Sequence, residues 1–128
     1  EGKCQYELSA YTKAPLSKRS VPFWDKFEQR FGETPFYTGT GAYDAVNLIK
    51  VAAEAAKSMD RDALVTSLEK VDYEGVIGRI RFDKLHEAIT GPDDVPVSYG
   101  QWLGEKKKVA IWPEKFSQGK YQPPPWLK

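Results

Sequence analysis

The strongest pattern of hydrophobic and polar positions occupies the second half of the stretch from Phe36 to Met59 and predicts an α-helix there. Its apolar residues recur at three- and four-residue spacing, which places them on one face of a helix. We expect that face to be buried against a neighbour, which its small side chains allow to approach closely. This face, called the apolar stripe below, consists of Ala42, Ala45, Val46, Ile49, Ala52, Ala53 and Ala56.

Thr38, Gly39, Thr40 and Gly41 are predicted to precede this helix. Glycines and hydroxyl groups at a helix start leave backbone N–H groups approachable, which suits a carboxylate or another anion. The same residues also suit an ordinary N-terminal cap on a core helix, and spacing alone favours that simpler interpretation.

Two further helices are predicted on either side of the central one. Phe23, Phe27 and Phe31 recur every four residues along a helix that should begin with Ser20 as its N-cap and end at Gly32. Asp60 is a suitable N-cap for a shorter helix from Arg61 to Val71.

The predicted strands are few and short. Cys4 to Ala10 and Val76 to Asp83 alternate as strands do, and Gly78 within the second indicates a bulge or a close backbone approach. Val97 to Leu103 and Val109 to Trp112 read as a hairpin, and the proline-rich tail after it excludes regular helix. Three helices need a sheet to cover, so this inventory indicates that part of the fold lies elsewhere.

Composition narrows the function classes. Lysine and arginine number 19 against 18 aspartates and glutamates, a balance that argues against a nucleic-acid binder. One cysteine, Cys4, and one histidine, His86, cannot build a cysteine and histidine metal site, so we expect no metal and no cofactor. No run of about 18 apolar residues predicts a membrane span.

The order and spacing of these elements resemble one family. From Phe23 to Asp83 the chain resembles the C-terminal third of a type I periplasmic solute-binding protein, in the group of branched-chain amino-acid and amide receptors of ABC transporters. The chain departs from the family pattern at Lys84 to Glu87, where a glycine-acid turn is usual, and in its Pro-Pro-Pro-Trp tail. The matching motifs are FxxxFxxRFG at 23–32 with Pro35 after it, YDAVNLI from Tyr43, the short helix at 61–71, GxxGxIxFD at 75–83 and the aromatic strand pair at 97–112.

The resemblance implies an α/β fold, a fragment of a two-lobed receptor in which helices cover a parallel sheet and a β-hairpin follows near the C-terminus. Whole members are two to three times longer, so residues 1–128 would be a C-terminal fragment. Residues from about 20 to 83 would belong to the N-terminal lobe, and residues 97–128 would return to the other lobe. Alone, the fragment would expose an apolar face and form a homo-oligomer or swap segments.

The resemblance also implies a function: non-catalytic capture of a small solute, such as a branched-chain amino acid or an amide, in the cleft between the lobes. Closure would signal to an ABC permease in the membrane, and the protein would be periplasmic or extracellular, with a lipoprotein anchor as one form. Tyr37 matches an aromatic residue that packs on the ligand, with Thr38, Gly39 and Thr40 beside it. Within the family, an amide sensor that regulates transcription is the alternative.

Two other classes remain open. An enzyme would need His86 beside a nucleophile such as Cys4, yet only Asp83 and Glu87 are its neighbours in sequence. Asp93 and Asp94 predict a solvated turn, since a metal site needs further oxygen ligands. An interaction module would use Trp102, Trp112 and Trp126, although these aromatic residues equally suit contacts within the whole receptor. Lys106 to Lys108 predict a solvated loop.

Overall fold

Three helices are followed by two small sheets in the computed structural model, which describes residues 13–104, 107–124 and 126, and residues 6–8 by their backbone. No helix in this described part is long and apolar enough to cross a membrane. The helices are α1 (Ser20–Phe31), α2 (Tyr37–Ala56) and α3 (Arg61–Leu68), and the strands are β1 (Tyr6–Leu8), β2 (Tyr73–Glu74), β3 (Arg79–Ile80), β4 (Tyr99–Trp102) and β5 (Lys108–Trp112).

Both sheets are antiparallel. The first has the order β1-β4-β5, and the second is the pair β2-β3. The predicted hairpin is confirmed as β4 and β5, with a register shift between Tyr99 and Gly100. The strand predicted from Cys4 to Ala10 is present as β1, and its other residues lie outside the described ones. No parallel strand pair that these helices could cover occurs in the described part of the chain.

Local capping signals fixed two of the helix ends correctly. Gly32 ends α1 in the left-handed conformation at φ 72°, where a residue without Cβ is favoured. Asp60 caps α3, because its Oδ1 accepts from the amides of Asp62 at 3.0 Å and Ala63 at 3.1 Å. The cap predicted at Ser20 is wrong: Ser20 lies inside α1, and its hydroxyl bonds to another segment of the chain.

The buried face of α2 is not the predicted one. The residues that α2 buries are Thr40, Asp44, Leu48 and Ala52, which follow each other at four-residue spacing. Of the apolar stripe only Ala52 is buried, whereas Val46 is 68% exposed and Ile49 is 48% exposed. The periodicity correctly grouped the stripe on one face, but none of the described residues covers most of that face.

The strand predicted from Val76 to Asp83 is wrong over most of its length. Only Arg79 and Ile80 pair with β2, and Phe82 makes a single bridge to Ala88. The close approach predicted at Gly78 is confirmed, since an added Cβ would lie 2.5 Å from the carbonyl oxygen of Asp94.

The apolar core joins α2 to the β2-β3 pair. Leu48, Tyr73 and Ile80 are its buried centre. Six partly buried side chains pack around this centre: Val51, Leu68, Val71, Ile77, Phe82 and Val95. A single small core therefore holds α2, the end of α3 and the segment after it.

The tail is held by a buried amide. Gln101 on β4 donates from Nε2 to the Gln122 carbonyl at 2.7 Å and accepts the Gln122 amide at 3.0 Å. Beyond this point Trp126 is exposed, and Leu127 lies outside the described residues.

A buried carboxylate fixes the loop between β2 and β3. Asp44 on α2 is buried, and its two oxygens accept the amides of Val76 at 2.9 Å and Ile77 at 3.0 Å. Gly75 lies so close to this carboxylate that an added Cβ would be 2.6 Å from Oδ2. The loop therefore approaches α2 at a distance that only glycine allows.

Two serines hold the same loop from the opposite side. Ser17 Oγ donates to the Gly75 carbonyl at 2.6 Å, and Ser20 Oγ donates to the Val76 carbonyl at 2.7 Å. Four backbone groups of the loop thus have side-chain partners: the carbonyls of Gly75 and Val76 and the amides of Val76 and Ile77. Through these bonds α1, α2 and the loop form one unit.

Replacing Asp44 with alanine should destabilise the chain by about 3 kcal/mol, because two buried amides lose their acceptor. Chemical denaturation followed by circular dichroism measures this change. Glu54→Ala is the control on the same helix: its exposed pair with Lys50 should be worth no more than about 0.5 kcal/mol. Equal unfolding midpoints for the two variants would contradict the role of Asp44.

The same carboxylate should produce a pH dependence of stability. Burial raises the pKa of Asp44 above the ordinary value of 3.8, and the two amide hydrogen bonds and Arg19 oppose this rise. The folded state therefore keeps the proton to higher pH than the unfolded chain does. Relative to Asp44→Asn, the stability of the unsubstituted chain should fall as pH rises from 3.8 through the native pKa. A constant difference between the two denaturation series would refute this.

Candidate functional site

The first turn of α2 contains all the residues predicted to bind a ligand. The extended backbone of Phe36 leads into the helix, and the Phe36 carbonyl accepts the amides of Gly39 at 2.9 Å and Thr40 at 3.4 Å. The prediction that residues 38–41 precede the helix is therefore wrong, because α2 already begins at Tyr37.

The four predicted residues differ in what they offer to a ligand. Tyr37 is 62% exposed and Thr38 is also exposed, so both reach the surface. Gly39 is half-buried beside Pro35, and Thr40 is buried, with its hydroxyl donating to the Tyr37 carbonyl at 2.8 Å. The fold brings them together on one turn, with Tyr37 and Thr38 outermost.

A groove of about 540 Å³ runs beside this turn, between α1 and α2. Its floor is aromatic: ring centroids are 5.9 Å apart for Phe23 and Phe27, 4.6 Å for Phe27 and Phe31, and 4.8 Å for Phe23 and Tyr43. Gly39 also lines the groove, which therefore adjoins the predicted site.

The charges along the groove are positive. Lys18, Arg19, Lys26 and Arg30 line it, and among the residues that the structure describes no carboxylate does. The carboxylates of α1 bind elsewhere: Lys13 Nζ lies 2.7 Å from an oxygen of Asp25 and 2.7 Å from one of Glu28, and these hydrogen bonds raise the pKa of Lys13.

Arg19 is the one groove cation with a buried partner. Its Nη1 donates to the Tyr73 hydroxyl at 2.9 Å, and its guanidinium lies 5.0 Å from the centre of that ring. Burial raises the pKa of Tyr73, so its hydroxyl stays protonated at neutral pH. Arg19 therefore ties the groove to the core.

The residues considered for catalysis do not assemble a catalytic group in the described structure. His86 Nε2 lies 3.0 Å from Glu69 Oε1 at the surface, and Cys4 lies outside the described residues. Asp93 pairs with Lys115 at 3.0 Å. No cluster of histidine, cysteine, aspartate and glutamate suited to a metal occurs among the described residues.

Sequence reasoning missed the residues that organise this region. Asp44, Ser17 and Ser20 hold the 75–77 loop, yet each is a lone polar residue without a pattern. One signal for Asp44 was available. Asp44, Leu48 and Ala52 follow each other at four-residue spacing, which places all three on one helix face. The four-residue spacing of Lys26 and Arg30, two basic residues of α1, was also visible in the sequence.

Comparisons with known proteins agree on the fold. The sequence profile of the family described as periplasmic binding protein matches residues 8–92. A search of curated protein sequences finds no match.

Solved structures of solute-binding proteins superpose well on the chain. A structure from Silicibacter pomeroyi, described as a branched-chain amino acid ABC transporter, has a TM-score of 0.80 and 17% identity over 98% of this chain and 36% of its own. The leucine binding protein LivK from Thermotoga maritima has a TM-score of 0.70 and 20% identity, over 85% of this chain and 30% of its own.

A third structure is closer in sequence. An ABC transporter substrate-binding protein from Desulfitobacterium hafniense, solved in complex with Leu, has a TM-score of 0.67 and 26% identity, over 86% of this chain and 32% of its own. The chain thus spans about a third of the length of each of these structures.

The resemblance seen in the sequence motifs is confirmed by these matches, and the architecture is part of the type I periplasmic-binding-protein fold. Since the family profile covers residues 8–92, about two thirds of the sequence, the chain belongs to the periplasmic binding protein family.

Proposed function

We propose that this chain is the C-terminal part of an ABC transporter substrate-binding protein, which captures a small solute such as a branched-chain amino acid or an amide. The observation that carries this proposal is the family match over residues 8–92. Solved relatives of the same fold are complexes with Leu, with isoleucine and with benzoate, all small carboxylates. The family implies a location in the periplasm or outside the cell, and a permease as the membrane partner.

The proposed lobe assignment follows from the two separate sheets. Residues from about 20 to 83, with α1, α2, α3 and the β2-β3 pair, would form part of one lobe. Residues from 97 onward, with β4 and β5, would form part of the other. The exposure of Val46 and Ile49 supports this assignment, because in a complete lobe those side chains would pack on strands that are absent from the described part of this chain.

The proposed ligand contacts are Tyr37, Thr38, Gly39 and Thr40. The exposed ring of Tyr37 supplies an apolar wall for a ligand side chain, and Thr38 supplies a hydroxyl beside it. Gly39 permits close approach of a ligand to the backbone. Thr40 is buried and would act indirectly: its hydroxyl donates to the Tyr37 carbonyl and so holds the turn that carries Tyr37.

The ligand proposal predicts that the complete product of the gene binds one of these solutes, whereas residues 1–128 alone bind none, because one turn cannot enclose a ligand. Isothermal titration calorimetry with leucine, isoleucine, acetamide and benzoate measures both. Tyr37→Ala should weaken binding about tenfold by removing an aromatic wall. Tyr121→Ala, also an exposed tyrosine, is the control and should leave affinity unchanged.

Two results would overturn this proposal. Failure of the complete gene product to bind any of the four solutes would contradict solute capture of this class. Equal affinity of the Tyr37→Ala and Tyr121→Ala variants would contradict the site while leaving the capture function standing.

The exposed apolar stripe predicts that residues 1–128 self-associate when expressed alone. Val46→Glu should shift the chain toward monomer, because a charge on the stripe must be desolvated in the contact. Sedimentation velocity over a concentration series measures this. Leu85→Glu is the matched control, since Leu85 is a large exposed apolar residue on a loop away from α2.

A chain that is monomeric at every concentration would contradict this prediction. An equal shift in the Val46→Glu and Leu85→Glu variants would show that association is not specific to the stripe.

A further inference from the structure

We infer that the groove between α1 and α2 is a docking surface for an acidic amphipathic segment of a partner protein. The groove adjoins the proposed solute site, since Gly39 lines it, but the proposal does not depend on which solute is bound. It rests on the arrangement of two side-chain rows along α1.

The two rows run side by side at four-residue spacing. Lys26 and Arg30 form the cationic row on α1, with Lys18 just before the helix, and Phe23, Phe27 and Phe31 form the aromatic row. From Phe23 to Phe31 the aromatic row extends about 12 Å, or two helical turns. This length and periodicity match the face of another helix, which presents its side chains at the same spacing.

The aromatic row is partly open to solvent. Phe31 is 55% exposed at one end, and Phe23 and Phe27 are half-buried against Tyr43 and each other. Aromatic residues and arginine are enriched in the centres of protein interfaces, where they contribute a large contact area. An exposed aromatic row bordered by cations therefore has the composition of a binding surface.

The cations are available to a partner. Within the described part of the chain, the ammonium groups of Lys18 and Lys26 make no hydrogen bond or ion pair. The guanidinium of Arg30 lies 5.3 Å from the centre of the Phe31 ring, at the exposed end of the aromatic row. Because no carboxylate lines the groove, its charge is complementary only to an anionic partner.

The charge and shape of the groove favour a helical segment over a second copy of this chain and over a small organic anion. A second copy docking α1 against α1 would bring the cationic rows together, and like charges repel. A small organic anion would remain largely solvated, because the groove is open along its length, whereas small-molecule sites bury most of their ligand. A helical segment covers both rows at once.

Fluorescence anisotropy with a labelled helical peptide tests the proposal on the 128-residue chain. The probe carries a row of glutamates beside a row of leucines, each at four-residue spacing. Its matched control carries lysines in place of the glutamates and keeps the leucines. We expect saturable binding of the acidic peptide that weakens as salt is raised, and no binding of the basic peptide.

Two substitutions locate the binding on the groove. Lys26→Glu should weaken the acidic peptide about fivefold, by replacing an attraction with a repulsion at the interface rim. Phe31→Ala should weaken it by a similar factor through lost aromatic contact. Lys70→Glu changes the net charge by the same amount at an exposed site on another segment, and should leave the affinity unchanged.

Three results would overturn the inference. Equal binding of the acidic and basic peptides would show non-specific adhesion to apolar surface. Equal effects of Lys26→Glu and Lys70→Glu would show a response to net charge alone. Saturable binding of 2-naphthoate without binding of the acidic peptide would make the groove a small-anion site.

Discussion

The fold depends on one buried carboxylate that accepts two backbone amides. Asp44 lies on the buried face of α2 and fixes the amides of Val76 and Ile77, 32 and 33 residues away in sequence. Desolvating a carboxylate is costly, and charge-assisted hydrogen bonds offset that cost. Because there is no space for a side chain at Gly75, the loop can approach the helix closely enough for these hydrogen bonds.

This anchor determines where the candidate surfaces lie. The same loop accepts hydrogen bonds from Ser17 and Ser20, so α1 is held at a fixed position against α2. That position forms the groove whose walls carry the aromatic and cationic rows. The first turn of α2 adjoins the same groove through Gly39. One set of polar contacts therefore orients both surfaces.

The sequence predicted the features that depend on neighbouring residues alone. The helix ends at Gly32 and Asp60 follow from backbone conformation and capping, which need no distant partner. The hairpin follows from two aromatic runs around a polar loop. The family motifs predicted the fold, since their order carries information that single motifs lack.

The sequence could not reveal what depends on distant neighbours. Periodicity grouped Val46 with Ile49 but could not tell whether anything covers them. Alternation from Val76 to Asp83 resembles a strand, yet only Arg79 and Ile80 find a partner. Asp44 was missed because a single polar residue makes no pattern. Residues 38–41 were expected to precede the helix because glycine is a weak helix former, whereas α2 already begins at Tyr37.

Val46 and Ile49, on the side of α2 that faces solvent, are locally frustrated positions. Valine and isoleucine restrict their rotamers in a helix and favour it less than alanine or leucine does. At 68% and 48% exposure, Val46 and Ile49 also gain little from burial, so neither helix propensity nor packing within this chain accounts for their presence. In most proteins helix propensity and packing favour the same residue at a position. Positions where they conflict concentrate at functional sites and at contacts with partners. Under the proposed lobe assignment, these two branched side chains would contact strands of the complete protein.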